Sequence, residues 1–365
     1  MLPDSDTRLQ ALRRQIDAID GEILAAMNRR LEIAGAVAAV KAALDKPAFY
    51  RPEREAQVLR RLHELNTGPL TERALESLFR EIMSITRGAE ASLAVAILGP
   101  PGTYTEAAAR QHFGSTVEIV DFPTIDEIFK STETGDTHFA VAPVENSTEG
   151  GVTGTLDRLV STTLTICGEI RLQIRHNLLS GAARLADLDR VYAHAQALGQ
   201  CRRWLEKHLP GVERIPVGSN ADAARKAAGE PGAAAIAGAA AAARYGIRIL
   251  QPHIEDEPGN TTRFLILSDR PTPPSGRDKT SVLLSSKSEP GALLRLLQPL
   301  LDENIDMSKI ESRPSRAGLW EYVFFIDFLG HAEQPHIARA LARLKQEASL
   351  FKHLGSYPVA VQAGA

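Results

Sequence analysis

The sequence is poor in several features that mark specialised classes of protein. Its 365 residues include two cysteines, Cys167 and Cys201, and its formal net charge is −3. Two distant cysteines lack the spacing of a metal site, and we expect each to be a small buried side chain in a reduced, cytoplasmic protein. The slight negative charge argues against a nucleic acid or an anionic membrane as the main partner.

Long apolar runs are also missing from the sequence. No stretch approaches the roughly 20 apolar residues that a membrane helix needs. The segment Met1–Asp6 is acidic with no apolar segment behind it, so we expect no signal peptide. The composition, 44% hydrophobic and 24% charged, is that of an ordinary globular protein, and the length predicts two or three domains.

Apolar residues recur at alternating steps of three and four from Leu9 to Val40, which is typical of a helix packed on other helices. No proline interrupts residues 8–44, so we predict one helix of about 36 residues and about 55 Å. Shorter helices are predicted at 52–65 and 71–91. Two short helices cannot cover so long an apolar stripe, and we therefore expect a second protein chain to cover it.

Basic residues follow the same helix. Arg30 lies on the apolar seam, where a charge is costly unless it is paired. Lys41 is on the same face about 16 Å away, so the two long side chains could converge on one small anion. Arg13 lies about 25 Å before Arg30. It could reach the same ligand only from the antiparallel helix of a second subunit.

These residues belong to a pattern that resembles the all-helical chorismate mutase family: Ala11-Leu12-Arg13, Asn28-Arg29-Arg30, Lys41 and Arg51-Pro52-Glu53-Arg54-Glu55. The resemblance implies a dimer of long helices that binds a dicarboxylate enol ether. It also implies roles for individual residues: Arg13 lent across the dimer, Arg30 and Arg54 on the substrate carboxylates, Lys41 as donor to the ether oxygen, Glu55 on the substrate hydroxyl, and Thr86 as a further polar contact.

Two substrate-site positions depart from the pattern of that family. Arg51 stands where an aspartate is common, and Glu90 stands where a glutamine often donates to the ether oxygen. The rearrangement is pericyclic and needs no nucleophile or base. Fixed cations stabilise the negative charge that develops on the ether oxygen, and gripping both carboxylates supplies orientation.

The sequence pattern changes at Leu93. A continuous apolar run to Leu98 predicts a strand that is buried on both faces. A Gly-rich turn, residues 99–105, leads into a helix, which is an anion-binding layout. The turn lacks the spacing of a dinucleotide or Walker motif, and we expect no cofactor. A later strand, 139–144, ends in Glu145-Asn146-Ser147. Polar residues at the carboxyl end of a parallel strand face the ligand crevice of an open sheet.

A second lobe is predicted to begin near Thr163, and the strand after Thr262 is predicted to return to the first lobe. Two lobes with a crevice between them have the shape of a periplasmic binding protein. Residues 233–243 are alanine-rich and are predicted to form a tightly packed helix. The other predicted elements of this lobe are strands at 164–166, 170–174 and 191–194, helices at 198–208 and 221–228, and a helix cap at Ser219-Asn220.

From spacing alone, the stretch Gly259–Leu267 could be a Thr-rich turn before an edge strand. Together with other motifs it resembles the prephenate dehydratase family: Gly99-Pro100-Pro101-Gly102-Thr103-Tyr104, Val144-Glu145-Asn146-Ser147, His194-Ala195-Gln196 and Thr262-Arg263-Phe264. The resemblance implies that Thr262 is essential.

Roles in this second reaction follow from the same motifs. Thr262 is the candidate donor to the departing hydroxyl. Arg263 and backbone N–H groups near Thr103 are candidates to hold the carboxylates. Ligand contact and loop capping both remain open for four residues: Asn146, Ser147, Gln196 and Ser219. His194 is expected to be structural.

The last region follows a stiff, polar linker at 270–278. Its predicted order of strands and helices is βαββαβ, which is ferredoxin-like. It resembles the ACT regulatory domain, and two segments match phenylalanine-binding motifs: Gly291-Ala292-Leu293-Leu294 and Glu311-Ser312-Arg313-Pro314. The alternative is a purely structural dimerisation sheet.

The sequence thus predicts a helical mutase domain at residues 1–92, a two-lobed α/β dehydratase domain at 93–270 and an α+β ACT domain at 279–358. The resemblances imply a homodimer or higher oligomer that converts chorismate to prephenate and then to phenylpyruvate, with inhibition by L-phenylalanine, and the cysteine usage predicts the cytoplasm. We expect the modules to fold independently. The alternatives are a dehydratase whose helices serve only for dimerisation, and a non-catalytic amino-acid sensor.

The first testable prediction concerns Glu90, which can donate a hydrogen bond to the ether oxygen only when it is protonated. We expect mutase activity to fall as Glu90 deprotonates, because a carboxylate there would repel the developing charge. Glu90→Gln should flatten the pH profile of the mutase rate, measured from chorismate. A profile that keeps its shape in the variant would contradict this role.

Overall fold

The computed structural model describes residues 5–42, 50–90, 92–286, 289–314 and 322–360. The predicted helix ends at Leu44 and Ala91, and the predicted strand start at Glu321, lie outside these residues. In the part described, a helical region, a two-lobed α/β region and an α+β region follow one another in the predicted order. None of the described helices is long and apolar enough to cross a membrane.

The described elements are numbered in chain order. The helices are α1 Ser5–Ala42, α2 Pro52–Leu65, α3 Glu72–Glu90, α4 Tyr104–Phe113, α5 Ile125–Glu133, α6 Thr153–Ser161, α7 Ala195–Gln200, α8 Arg202–His208, α9 Asn220–Ala228, α10 Ala239–Tyr245, α11 Ala292–Asp302 and α12 Pro335–Glu347. The strands are β1 Ala94–Leu98, β2 Glu118–Phe122, β3 Phe139–Asn146, β4 Gly150–Gly151, β5 Thr165–Gln173, β6 Asn177–Ser180, β7 Arg190–Ala193, β8 Glu213–Pro216, β9 Ala233–Ala237, β10 Ile249–Gln251, β11 Thr261–Ser268, β12 Asp278–Ser285, β13 Met307–Pro314, β14 Tyr322–Leu329 and β15 Leu350–Pro358.

One side of α1 is left exposed by the residues that the structure describes. The helix has 38 residues, or about 57 Å at 1.5 Å per residue, and it packs against α3. Ile16 is 57% exposed, Ile23 52% and Val40 70%. The other large apolar side chains exposed along it are Leu9, Leu12, Ile19, Leu24, Ile33 and Val37. A contiguous apolar surface of this extent is typical of a protein–protein interface.

The helical region shares a core with the α/β region, contrary to the expectation that the modules fold independently. Tyr50, just before α2, is 7% exposed. Its ring packs against Phe113 and Phe139, with both centroid distances at 5.1 Å. Arg87 of α3 lies over the same ring, 5.0 Å from its centroid. The start of α2 is therefore anchored in the neighbouring region.

The first lobe contains a sheet in the order β2-β1-β3-β11-β5, with β4 paired to β3. β1 is parallel to β2 and to β3, whereas β11 is antiparallel to both of its neighbours. The prediction that the strand after Thr262 returns to the first lobe is confirmed.

The predicted start of the second lobe near Thr163 is wrong. The two short strands predicted at 164–166 and 170–174 are one strand, β5, which pairs with β11 in the first-lobe sheet. Gly168 in its middle still pairs with Ile266, so the small residues there continue the strand and do not end it. The second lobe begins after this strand, at β6.

The second lobe contains a sheet in the order β10-β6-β9-β7-β8. The helix predicted over residues 233–243 is wrong in its first half, since Ala233–Ala237 forms β9, buried at every position. The strand pairs with β6 and β7. Burial between two strands overrides the helix propensity of alanine, which is a weak preference.

The α+β region contains a sheet in the order β13-β14-β12-β15. α11 and α12 share one apolar core with this sheet, including Leu296, Ile326 and Ile337. The chain order β12-α11-β13-β14-α12-β15 confirms the predicted ferredoxin-like βαββαβ arrangement. This region packs on the first lobe through β15, which lies against β5.

The contact between β15 and β5 depends on a glycine. Gly355 has a φ of 148°, and a Cβ atom there would collide with the backbone of Ile166. We expect Gly355→Ala to lower the free energy of unfolding by about 2 kcal/mol or more, because the clash is with backbone atoms. Thermal unfolding of the full chain measures this. Gly211→Ala is the control, since Gly211 has open space around it, and equal melting temperatures for the two variants would contradict the prediction.

Candidate active sites

The first-lobe sheet brings Thr262 and Asn146 side by side. They are register partners on β11 and β3, and Asn146 Nδ2 donates to Thr262 Oγ1 at 2.9 Å. Thr262 is 9% exposed and Asn146 8%. Because the hydroxyl oxygen accepts from the amide, its own proton is directed elsewhere and can be donated to a ligand.

Asn260 extends this pair toward the second lobe, and it was not among the residues predicted from the sequence. Its Oδ1 accepts from Asn146 Nδ2 at 2.9 Å and from Ser147 Oγ at 3.4 Å. Its Nδ2 donates to Gln200 Oε1 of α7 at 3.1 Å. The available signal was its place in the polar turn two residues before Thr262. Ser147 also accepts from the backbone N–H of Thr261 at 2.9 Å, so its loop-capping role is present.

A cavity of about 460 Å³ is lined by Asn260 of this group, whereas Asn146, Ser147 and Thr262 are not among its lining residues. Thr148 lies on the first-lobe side of it and Gln196 and Gln200 on the second-lobe side, with Asn260 at the junction. The size suits a small organic molecule, since ligand cavities fall in the range of roughly 300–1,000 Å³. Among the residues that the structure describes, no group of three or more His, Cys, Asp or Glu side chains could hold a metal ion.

Three other predicted positions serve as helix caps. Thr103 caps α4, and its Oγ1 donates to Leu98 O at 2.9 Å. Ser219 caps α9 and accepts from the backbone N–H of Asp222 at 3.0 Å. His194 caps α7, consistent with a structural role. Neither Thr103 nor Ser219 lines the cavity.

Arg263 is not brought to the crevice. It follows Thr262 on β11, so its side chain lies on the opposite face of the sheet. Its Nε donates to Glu169 Oε2 at 2.7 Å and its Nη1 to Asp327 Oδ2 at 2.6 Å. The side chain is 10% exposed. A guanidinium held in this way has no free face for a substrate carboxylate in the crevice.

The helical region brings four of the predicted residues together between α1 and α3. Lys41 Nζ donates to Glu90 Oε2 at 2.9 Å. Arg30 Nη1 donates to Thr86 Oγ1 and, at 3.4 Å, to Ile82 O. Burial lowers the pKa of Arg30, and nearby Glu55 and Glu90 oppose that shift. Two cations, a hydroxyl and a carboxylate thus line one groove.

Glu55 is connected to this region by an ion pair with Arg87, a residue that was not predicted from the sequence. Arg87 Nη1 pairs with Glu55 Oε1, and its Nη2 donates to Phe113 O of α4. Burial raises the pKa of Glu55, and Arg87 and Arg80 oppose that shift. No local pattern marks Arg87, because its partners come from α2 and from the next domain.

The remaining predicted arginines are not brought to this groove. Arg13 and Arg54 are exposed. Arg54 lines a separate hollow of about 250 Å³ on α2, and Arg51 Nε donates to Glu53 Oε1 at 2.6 Å. The position of Arg13 on α1 agrees with the expectation that it cannot serve the Arg30 site of its own chain.

The two ACT motifs lie on α11 and β13. Gly291 caps α11 with a φ of 76°, a conformation that favours glycine, and Leu294 is 69% exposed. The second motif contacts the first lobe: Arg313 Nη1 donates to Thr153 O at 3.2 Å. Glu311 pairs with Lys309 at 3.1 Å.

The matches to known protein families coincide with the three regions of the fold. Family profiles match in order: chorismate mutase type II at residues 12–91, prephenate dehydratase at 95–272 and the ACT domain at 280–346. A bifunctional chorismate mutase/prephenate dehydratase of Pseudomonas aeruginosa is 48% identical over 365 residues, covering 99% of this chain and 100% of the relative. The chain belongs to this family. It is an enzyme of L-phenylalanine biosynthesis with both activities, which confirms the main prediction from the sequence.

Two solved structures resemble the dehydratase and ACT regions. Prephenate dehydratase of Arthrobacter aurescens, in complex with L-Phe, is 34% identical with a TM-score of 0.69 and covers 75% of this chain and 92% of its own. GqqA, described as a novel type of quorum-quenching acylase, is 31% identical with a TM-score of 0.67 and covers 73% and 98%.

The pairing of Glu55 with Arg87 yields a prediction for the mutase. Arg87→Met should lower the mutase kcat/KM by roughly tenfold or more, because Glu55 then lacks the partner that orients it. Rates from chorismate in the full chain measure the effect. Arg73→Met, on the exposed side of the same helix, should leave the rate unchanged. A normal rate in Arg87→Met would show that Glu55 is oriented without it.

Proposed function

We propose that the two reactions occur at separate centres, the mutase in residues 1–92 and the dehydratase in residues 93–270, with residues 279–358 as the regulatory domain. The profile matches end near each of these boundaries or within them. The observation that carries the dehydratase assignment is the hydrogen bond between Asn146 and Thr262 at the edge of the crevice.

In the mutase centre, Arg30 and Lys41 hold the dicarboxylate substrate and stabilise the charge that develops on the ether oxygen. Thr86 and the carbonyl of Ile82 fix the guanidinium of Arg30. Glu55 accepts from the substrate hydroxyl. Lys41 is paired with Glu90, so substrate binding has to divide this pair. The roles of Arg51 and Arg54 rest on the sequence resemblance alone.

A second copy of the chain completes the mutase centre. The apolar stripe of α1, exposed along the helix, packs on its counterpart in the partner. In an antiparallel pairing, Arg13 of one chain lies beside Arg30 of the other, although the two are about 25 Å apart within one helix. This is the homodimer that we propose, and its contact is isologous, as in most two-fold dimers.

In the dehydratase centre, prephenate occupies the crevice between the lobes. The bond from the ring to its carboxylate breaks, its electrons enter the ring, and the ring hydroxyl departs as CO₂ is released. Aromatisation drives the reaction. Thr262 donates a hydrogen bond to the departing hydroxyl, which gains negative charge, and Asn146 keeps the Thr262 hydroxyl turned for that donation. Asn260, Ser147 and Gln196 supply further polar contacts near the substrate.

The effector of the regulatory domain is L-phenylalanine. Support comes from the two sequence motifs and from the bound L-Phe in the relative of Arthrobacter aurescens. The compartment is the cytoplasm. Both cysteines are free and buried, and burial raises the pKa of Cys167 to about 12, as expected of an unreactive structural thiol.

Thr262→Ala tests the dehydratase assignment. The substitution should lower the rate of phenylpyruvate formation from prephenate by at least about a hundredfold, because the hydrogen bond to the departing hydroxyl is lost. The rate of prephenate formation from chorismate should not change. Thr261→Ala is the matched control, since that hydroxyl bonds to the backbone of Gly259 at 3.2 Å. Loss of both activities in Thr262→Ala would mean that the centres are not separate.

Subunit complementation tests the proposed dimer. Arg13→Ala and Arg30→Ala should each lack mutase activity, and co-expression of the two should restore roughly a quarter of the wild-type activity, because half of the dimers are hybrids and each hybrid has one intact site. Arg30→Ala combined with Lys41→Ala should restore nothing, since both residues come from the same chain. Restoration by neither pair, in samples that remain dimeric by ultracentrifugation, would contradict the shared site.

A further inference from the structure

Five side chains form a buried polar cluster between the dehydratase and ACT domains, here called the Arg263 cluster: Arg263, Glu169, Lys279, Asp327 and Tyr357. Arg263 donates to Glu169, to Asp327 and, at 2.9 Å, to Tyr357 Oη. Lys279 Nζ donates to both carboxylate oxygens of Glu169 at 2.9 and 3.0 Å. Two positive and two negative charges therefore balance one another inside the protein.

Burial makes this cluster intolerant of a lost partner. Glu169 is 4% exposed, Lys279 3% and Asp327 7%. Burial alone would raise the pKa of Glu169, but Arg263 and Lys279 hold it below the usual value, so the carboxylate is ionised at neutral pH. An uncompensated buried charge is strongly unfavourable. The cluster therefore connects the two domains in one defined geometry.

The cluster lies one residue from the catalytic hydroxyl. Thr262 and Arg263 are adjacent on β11 and project to opposite faces, Thr262 beside Asn146 and Arg263 toward the ACT sheet. The register of β11 against β3 shifts between Arg263 and Phe264. Such irregularities redirect side chains near active sites. A displacement of Arg263 at this point is passed to Thr262 through a single peptide unit.

The neighbouring strand is held in the same way. Glu145 precedes Asn146 on β3 and pairs with Lys309 of β13 at 2.9 Å, and it lies 3.7 Å from Arg263 Nη1. Lys309 in turn pairs with Glu311, in the second predicted phenylalanine motif. Both strands that carry the dehydratase pair are thus bound to the ACT domain by the residue next to the site.

We propose that Arg263 is a positioning residue of the dehydratase reaction and that Asp327, on ACT strand β14, is the residue through which the regulatory domain controls the placement of Thr262. This inference rests on the proposed roles of Thr262 and of L-phenylalanine. A change in the ACT sheet moves Asp327 and therefore the guanidinium of Arg263 that is bound to it. This movement changes the alignment of Thr262 and Asn146.

The experiment uses Asp327→Asn in the full chain, because the amide keeps the shape of the carboxylate and removes its charge. We expect the kcat for prephenate to fall about tenfold with KM within about twofold of wild type, since orientation is lost and binding is kept. We also expect the L-phenylalanine concentration for half-inhibition to rise at least about tenfold. L-Phenylalanine binding, measured by calorimetry, and mutase activity should be retained.

Asp302→Asn is the matched control. Asp302 also belongs to the ACT domain and pairs with Arg343 at 2.7 Å, but it is exposed and distant in sequence from the cluster. It should leave kcat, KM and inhibition unchanged. An Asp327→Asn enzyme with a lower melting temperature but wild-type kcat and inhibition would overturn the proposal and leave the cluster a purely structural connection.

Two milder variants keep the test decisive if Asp327→Asn fails to fold. Ser281→Ala removes a 2.5 Å hydrogen bond to Asp327 Oδ1 and keeps every charge. Arg263→Lys keeps the charge and loses the planar fork that serves several partners at once. Both should lower kcat in preference to KM, and unchanged kcat in both would overturn the proposal.

Failure of the proposed function gives a different result. A wild-type chain that does not bind L-phenylalanine would overturn the effector and the regulatory role of Asp327, while the kcat of Arg263→Lys would still decide the positioning role. A wild-type rate in Thr262→Ala would remove the dehydratase assignment itself.

Discussion

The antiparallel insertion of β11 between β3 and β5 is the constraint on which the dehydratase half depends. The chain leaves the first lobe after β5, builds the second lobe and returns as β11. Both connections between the lobes therefore lie at the same end of these two strands, where Gln173 pairs with Thr261. This return places Thr262 beside Asn146. It also places Arg263 where the ACT domain can reach it. Two adjacent residues of one strand thus project to opposite faces of the sheet, Thr262 beside Asn146 and Arg263 toward the regulatory domain.

The Arg263 cluster and the mutase groove differ in how their charges are balanced. In the Arg263 cluster, each cation has a carboxylate within 3 Å, and the group is shielded from solvent, so it stabilises a geometry and has no capacity for a ligand. In the mutase groove, Arg30 is fixed by a hydroxyl and a carbonyl, and no carboxylate in the described part of the chain pairs with it directly. A site for a dianion needs such unbalanced cations. The pairing of Lys41 with Glu90 is the exception, at a position where the sequence departs from its family.

The sequence was sufficient for the features that depend on local pattern and on motif order. Domain order, the return of β11 and the ferredoxin-like region followed from hydrophobic periodicity and from recognised motifs. Tertiary context decided the rest. Residues 233–237, four alanines and Ile236, form a strand because two strands flank them. Arg263 turns away from the crevice because its partners lie in another domain. Asn260 and Arg87 act through residues far away in sequence, and no local spacing reveals such partners.

Tyr50 has a consequence for how this gene could be divided. Its ring fills part of the dehydratase core although the residue precedes α2 of the helical region. A cut between the two coding segments would leave an aromatic-sized void against Phe113 and Phe139, and voids of that kind destabilise the surrounding core. A free-standing dehydratase derived from such a fusion would have to fill the gap with a side chain of its own. Separating the two segments would therefore cost the dehydratase core a buried aromatic contact.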